Sequence, residues 1–231
     1  KKFKDNWEEY FNLITKGLSL RECAKKMNIT IVTSFFWRHR FLNDLKERNY
    51  IAKIGSYVEL TKMVTLENFK GDRKYHGEKR DKIIVINALN NYNDVLPIIA
   101  GRSFFGFYEI RDNLIPRLDK HAYVVGYTDS RLKLFSKAFN EINKRKLDNE
   151  NISRMDIMYS IKVKKWLSKF KGVASKYLDH YLSWRVFEYK NNSEDRKDSF
   201  FIKTSNIDIN IKAEINTYSS WNNIKAKVIS V

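Results

Sequence analysis

The side chains with the most chemistry to offer lie between residues 30 and 40, where Thr30, Thr33 and Ser34 are followed by Arg38 and Arg40. Short hydroxyl side chains at the head of a helix can enter a DNA groove and reach base edges, and arginines further along can bind phosphate or guanine. A second basic group, Lys70, Arg73, Lys74, Lys79 and Arg80, lies in the hydrophilic run Lys70-Gly-Asp-Arg-Lys-Tyr-His-Gly-Glu-Lys-Arg80 and suits phosphate contact. Other chemistries find less support. The single cysteine, Cys23, rules out a disulfide or a Cys-based zinc site within the chain. His39, His76, His121 and His180 are scattered without metal-ligand spacing, and neither a glycine-rich phosphate loop nor a nucleophile elbow occurs.

Helices are needed to present the first group. Trp7, Tyr10, Phe11 and Ile14 recur at helical spacing, as do Leu20, Cys23, Ala24 and Met27. Ser19 with Glu22 three residues on has the spacing of a reciprocal capping box, and Asn28 ends that helix. After a turn at Asn28-Ile-Thr30, the stretch Thr33–Leu42 predicts a third helix. The layout is that of a helix-turn-helix unit over residues 1–53, its third helix entering the major groove by its N-terminal half while the second crosses the backbone. A plain three-helix bundle shares this periodicity, with Arg38-His39-Arg40 as a solvated face, and stays open as the alternative.

The charge balance points the same way. Lys and Arg number 44 against 27 Asp and Glu, a formal net charge of +17 spread along the chain, so a polyanionic partner is expected. With 43% hydrophobic and 14% aromatic residues the chain can bury a substantial core. No segment approaches the roughly 20 apolar residues of a membrane span, so no membrane partner is expected, and the lone cysteine fits a reducing, cytoplasmic compartment.

From Ile54 the pattern turns to β-branched and alternating runs, predicting strands at Tyr57–Leu60, Lys82–Leu89 and Ala122–Tyr127. The region around Pro97 and Pro116 has no clear pattern. Helices are predicted at Arg131–Lys146 and from Met155 to about Tyr189, the latter with an aromatic stripe (Trp166, Phe170, Tyr177, Tyr181, Trp184) that reads as core. Residues 190–231 read as a polar linker, Asn191–Asp198, and a β extension in which Ile207–Ile215 alternates strictly. The expected class is therefore α/β, a mixed sheet flanked by helices between residues 54 and 189.

Three segments together resemble the DDE-type insertion-sequence transposases of the ISXO-type group: Thr33–Leu42, Lys70-Gly71 and, above all, Lys164-Lys-Trp-Leu-Ser-Lys-Phe-Lys-Gly-Val-Ala-Ser-Lys-Tyr-Leu-Asp-His-Tyr-Leu-Ser-Trp184. The resemblance covers roughly Trp7 to Arg185. It implies a helix-turn-helix joined to an RNase H-like core whose acidic residues hold two divalent cations for strand cleavage and transfer. It also implies double-stranded DNA as partner, action as a homodimer, and phosphate contacts from Lys164, with Lys165 and Lys169 beside it. The family's zinc ribbon does not occur in these residues and would lie before Lys1.

A two-metal site needs several carboxylates to offset the repulsion between cations roughly 3.5–4 Å apart. The resemblance places the first acid at Thr61, with Lys62 where a Glu follows it, the second at Asp129 in Thr128-Asp129, and the third functional residue at Ile157, beside Asp156. One position of three keeps its acid, and Lys62 would add repulsion toward a cation. The expectation is a DNA-binding protein without bound metal and with the nuclease or strand-transfer activity lost. The alternatives are an active enzyme using Mg2+ or Mn2+ on a displaced set, Glu59, Asp129 and Asp156, and a protein-assembly factor on the same scaffold.

Overall fold

The computed structural model describes residues 2–48, 50–69, 80–145, 155–170 and 173–190. Local chemistry sets the first helix ends. Helix α1 (Lys2–Thr15) is followed by Gly17, which takes the left-handed φ of 81° that glycine tolerates. Ser19 accepts the Glu22 amide at 3.3 Å while the Glu22 carboxylate accepts the Ser19 amide at 2.7 Å, so α2 (Leu20–Lys26) begins with both halves of the capping box formed. Thr30 then caps α3 (Ile31–Arg48), accepting the Thr33 amide at 3.0 Å. This helix is longer at both ends than the expected Thr33–Leu42.

The sheet has four strands, one more than expected: β1 (Tyr57–Leu66), β2 (Lys82–Asn90), β3 (Val95–Arg102) and β4 (Tyr123–Tyr127). Their order is β3-β2-β1-β4; β1 and β3 both run antiparallel to β2, and β4 runs parallel to β1. The additional strand, β3, contains Pro97, which removes a ladder donor and obscures the pattern; it fits because β3 is an edge strand. Its hairpin to β2 is tied by Asn90, whose side-chain oxygen accepts the amides of Tyr92 at 3.0 Å and Asp94 at 2.8 Å. One face of the sheet carries Val58, Leu60, Ile84, Ile86, Ala88 and Val124 into the main apolar core.

Between β3 and β4 the chain makes a short helix, α4 (Phe107–Glu109), that continues as a π-helical turn (Ile110–Leu114) and a 3-10 turn (Ile115–Arg117). Helix α5 (Ser130–Ile142) covers the core face through Leu132 and Phe139. Helix α6 (Met155–Ser168) packs against β1 and β2. The single long helix expected to about Tyr189 is instead two. Helix α6 stops four residues before Gly172, a poor helix former, and α7 (Leu178–Lys190) starts after a 3-10 turn at Ser175–Tyr177. Trp166, Tyr177, Tyr181 and Trp184 of the aromatic stripe are all buried.

The described residues divide into two compact units, and the boundaries differ from the expected 1–53 and 54–189. The first joins α1, α2 and α3 to the part of α7 from Ser183, and the second spans Tyr50–Leu182. In the first unit Trp7 stacks on Trp37 with ring centroids 4.9 Å apart, and Phe11 meets Phe187 edge-on at 6.4 Å. Packing of this kind draws the C-terminal part of α7, remote in sequence, into the first unit. The alternating segment Ile207–Ile215 lies outside the described residues. Among the described residues no helix is long and apolar enough to cross a membrane.

Candidate functional site

Parallel pairing of β1 with β4 sets Thr61 opposite Tyr127, so the first and second acid positions inferred from the resemblance come together at one end of the sheet. Close packing there requires Gly126: a Cβ on it would collide with the Leu132 carbonyl at the start of α5. Thr128 takes a φ of 60°, unusual for a β-branched residue, and the Asp129 amide donates back to the Tyr127 carbonyl at 2.7 Å. This tight corner aims Asp129 at the head of α5, where its carboxylate accepts the amides of Arg131 at 2.9 Å and Leu132 at 3.4 Å. Asp129 is thus the N-cap of α5, a structural task available to any aspartate at that position.

Its other oxygen forms an ion pair with Lys62. Burial raises the carboxyl's pKa, but the Lys62 bond and charge with the two amides outweigh it and hold Asp129 below the usual carboxylate range. Lys62 was expected to repel a metal; in the structure it occupies the acid itself. The β1 alternation places Glu59 and Thr61 on the face opposite to Lys62, and Glu59, buried, pairs with Val125, two residues further from Asp129 than Thr61's partner. Among the described residues no group of three His, Cys, Asp or Glu side chains could hold a metal ion. A lone carboxylate bound by an ammonium does not fit a pair of divalent cations.

Neutral polar groups fill the neighbouring place on the sheet. Thr61 pairs across β1–β2 with Asn87, which is fully buried and donates to Ser160 of α6 at 2.9 Å. Sequence reasoning passed over this hydrogen bond; its one signal is an asparagine inside the apolar run Lys82–Leu89. Asp156 and Ile157 lie in the first turn of α6, Asp156 four residues before Ser160.

The helical unit distributes its expected DNA-facing residues unequally. Thr30 is exposed and Thr33 half-buried, their hydroxyls 2.9 Å apart at the head of α3, with Ile31 and Val32 exposed beside them. Ser34 and Arg38 lie inside instead, at 0% and 1% exposure. Ser34 donates to the Leu20 carbonyl at 3.0 Å and bonds the Tyr10 hydroxyl at 2.8 Å. Arg38 donates to the Leu18 carbonyl at 2.7 Å, and its guanidinium lies over the Trp184 ring at 5.8 Å. Neither can reach a groove while the unit is folded. Arg40 is half-buried against the Trp7 ring, 4.8 Å from its centroid. The N-terminal turn of α3 presents an open face, and from Trp37 to Leu45 its residues are buried apart from Arg40.

Exposed cations occur on both units, Lys16, Arg21, Lys25 and Lys26 on the first and a lysine group on the second. Lys164, Lys165 and Lys169 project from α6 and its C-terminal end, with Lys162 beside them and Trp166 turned inward. Arg80 is exposed just before β2; Lys70, Arg73, Lys74 and Lys79 lie outside the described residues. Of the histidines, His39 and His180 are buried, His121 contacts Arg145, and His76 lies outside the described residues. No family model, no curated protein and no solved structure matches the chain.

Proposed function

We propose that this chain is a double-stranded-DNA-binding protein derived from an insertion-sequence transposase, in which the metal-dependent strand chemistry has been lost and binding kept, as a regulator or competitor at DNA sites. The ion pair between Lys62 and Asp129 carries the proposal: the one acid that the resemblance retains is engaged by a lysine standing where the family has a carboxylate. Three further observations support it. The β1–β4 pairing sets Thr61 opposite Tyr127, two residues before Asp129, which is compatible with an ancestral pair of acids at that end of the sheet. Neutral Thr61, Asn87 and Ser160 adjoin that place. The net charge of +17 and the lysine face of α6 suit a polyanion. An RNase H-like core and a homodimer belong to the same proposal.

The test pairs two assays on the full chain. Duplex binding across a salt series is expected to weaken by roughly 10³–10⁵ between about 50 and 200 mM salt if six to ten phosphates are contacted. The same duplexes should remain uncut with Mg2+ or Mn2+. Salt-insensitive or absent binding would sink the proposal, as would metal-dependent cleavage that Asp129→Ala abolishes. A Thr61→Asp, Lys62→Glu, Ile157→Asn variant asks whether the scaffold can regain metal binding.

A further inference from the structure

Three aromatic rings stand exposed in the segment between β3 and the π-helical turn: Phe104 at 57%, Phe107 at 72% and Tyr108 at 56%. Strands β1, β3 and β4 all run in the same direction, so this segment leaves the sheet at the same end as the Thr128-Asp129 corner. The two departures are built alike. Ser103 takes a φ of 62° and the Phe104 amide donates back to the Arg102 carbonyl at 2.7 Å, just as Thr128 and Asp129 do at the end of β4. The Arg131 guanidinium, two residues beyond Asp129, lies over the Phe104 ring at 5.3 Å. Arg111, paired with Asp112 at 2.6 and 3.0 Å, lies over Tyr108 at 5.2 Å, and Phe107 meets Tyr108 edge-on at 5.8 Å.

The rings are held outward by a fixed frame. Phe105 between them is 1% exposed in the core, the Glu109 carboxylate accepts the Gly106 amide at 2.8 Å, and the Asn113 amide donates to the Ala100 carbonyl at 2.9 Å. Gly106 lies so close to the Phe104 ring that a Cβ there would collide with it. An apolar surface alone would leave its occupant open, but this one is interleaved with arginines in a strongly basic chain. Arg131 forms no salt bridge among the described residues, which leaves its charge available to an anion. Flat rings beside guanidinium groups match the two faces of a single-stranded nucleic acid, bases for stacking and phosphates for charge.

We infer that Phe104, Phe107 and Tyr108, with Arg131, form a platform that stacks unpaired bases at an end or distortion of the bound DNA. The inference rests on the proposed DNA binding and adds the kind of end the protein prefers. The probes are a blunt duplex, the same duplex with a short unpaired thymidine tail, and a tail carrying 2-aminopurine, whose fluorescence is quenched by stacking. The tailed duplex should bind about 10-fold or more tightly than the blunt one, with quenching. Combined Phe104→Ala, Phe107→Ala and Tyr108→Ala should abolish both the preference and the quenching while leaving blunt-duplex binding in place. Because these rings are exposed, the fold should survive, and Phe104→Trp should retain the preference. Equal binding of blunt and tailed duplexes by the unaltered protein would overturn the platform and leave the duplex-binding proposal standing. A tail preference without blunt-duplex binding would keep the platform and sink that proposal. A triple variant that changes the sedimentation coefficient from dimer to monomer, with tail binding unaltered, would identify a protein interface and overturn the platform.

Discussion

The two units differ in where they place the cations that the sequence marked for DNA contact. The helical unit draws Arg38 inside, against a carbonyl and the face of Trp184, and lays Arg40 on Trp7. The sheet unit leaves Lys164, Lys165 and Lys169 of the α6 segment in solvent and binds Lys62 to Asp129. All of these residues except Lys62 looked equally fit for DNA contact in the sequence, whatever their unit's later use of them. The contrast teaches that a basic residue advertises a polyanion only where the fold leaves its head exposed, because a buried guanidinium already has its donors committed. Under the proposed function, the exposed lysines of the α6 segment would contact phosphate, whereas in α3 only the first turn would be open to a groove.

The contrast can be broken most directly at Arg38. Arg38→Ala should cost the helical unit about 3 kcal/mol through weaker packing and hydrogen bonding, seen as a lower denaturation midpoint, and Arg38→Met should recover much of it. If Arg38→Ala instead weakens DNA binding with an unchanged midpoint, the helix reads DNA after all. Next in size, Lys164→Ala, Lys165→Ala and Lys169→Ala together should weaken duplex binding about 10- to 100-fold and lower the salt slope by about one for each phosphate no longer neutralised, with stability unaffected. Unchanged affinity would remove the α6 face from the interface.

Asp129→Ala tests the structural duty of the retained acid and should cost about 1–2 kcal/mol by removing the α5 cap and the Lys62 pair. A depressed carboxyl stabilises the fold fully above its ordinary range, about pH 4, and that contribution is lost as pH falls through the lowered native value. Acid titration of the unaltered protein and of Asp129→Asn should therefore diverge above about pH 4 and converge below it; parallel curves would refute the pairing. The smallest effect belongs to the helical unit. Burial pushes Tyr10 up to about 12 from 10.0, so its contribution is complete below the ordinary tyrosine value and is lost as pH rises through the native one. Tyr10→Phe should cost about 1 kcal/mol at neutral pH and blunt that alkaline loss, followed by circular dichroism.

Much of the local structure was legible. The capping box at Ser19 and Glu22 forms as its spacing implies, and the runs at Tyr57, Lys82 and Tyr123 are strands. Strand β3 was hidden because Pro97 breaks the run, and an edge position, which tolerates it, cannot be read before the sheet is assembled. The Phe104–Tyr108 segment lies in the same region without a clear pattern, and the exposure of its rings follows a left-handed turn at Ser103 that residue types alone do not announce.

By itself the sequence determined the net charge, the helix caps, the periodicities and the absence of acids at Thr61 and Ile157, since each depends on residue type or on neighbours a few positions away. Tertiary structure alone decided that Arg38 and Ser34 are buried, that Asn87 meets Ser160, and that Lys62 and Asp129, 67 residues apart, form an ion pair. Burial and pairing across such separations arise only when the chain closes on itself, and the charge of a side chain does not reveal which partner it will find there.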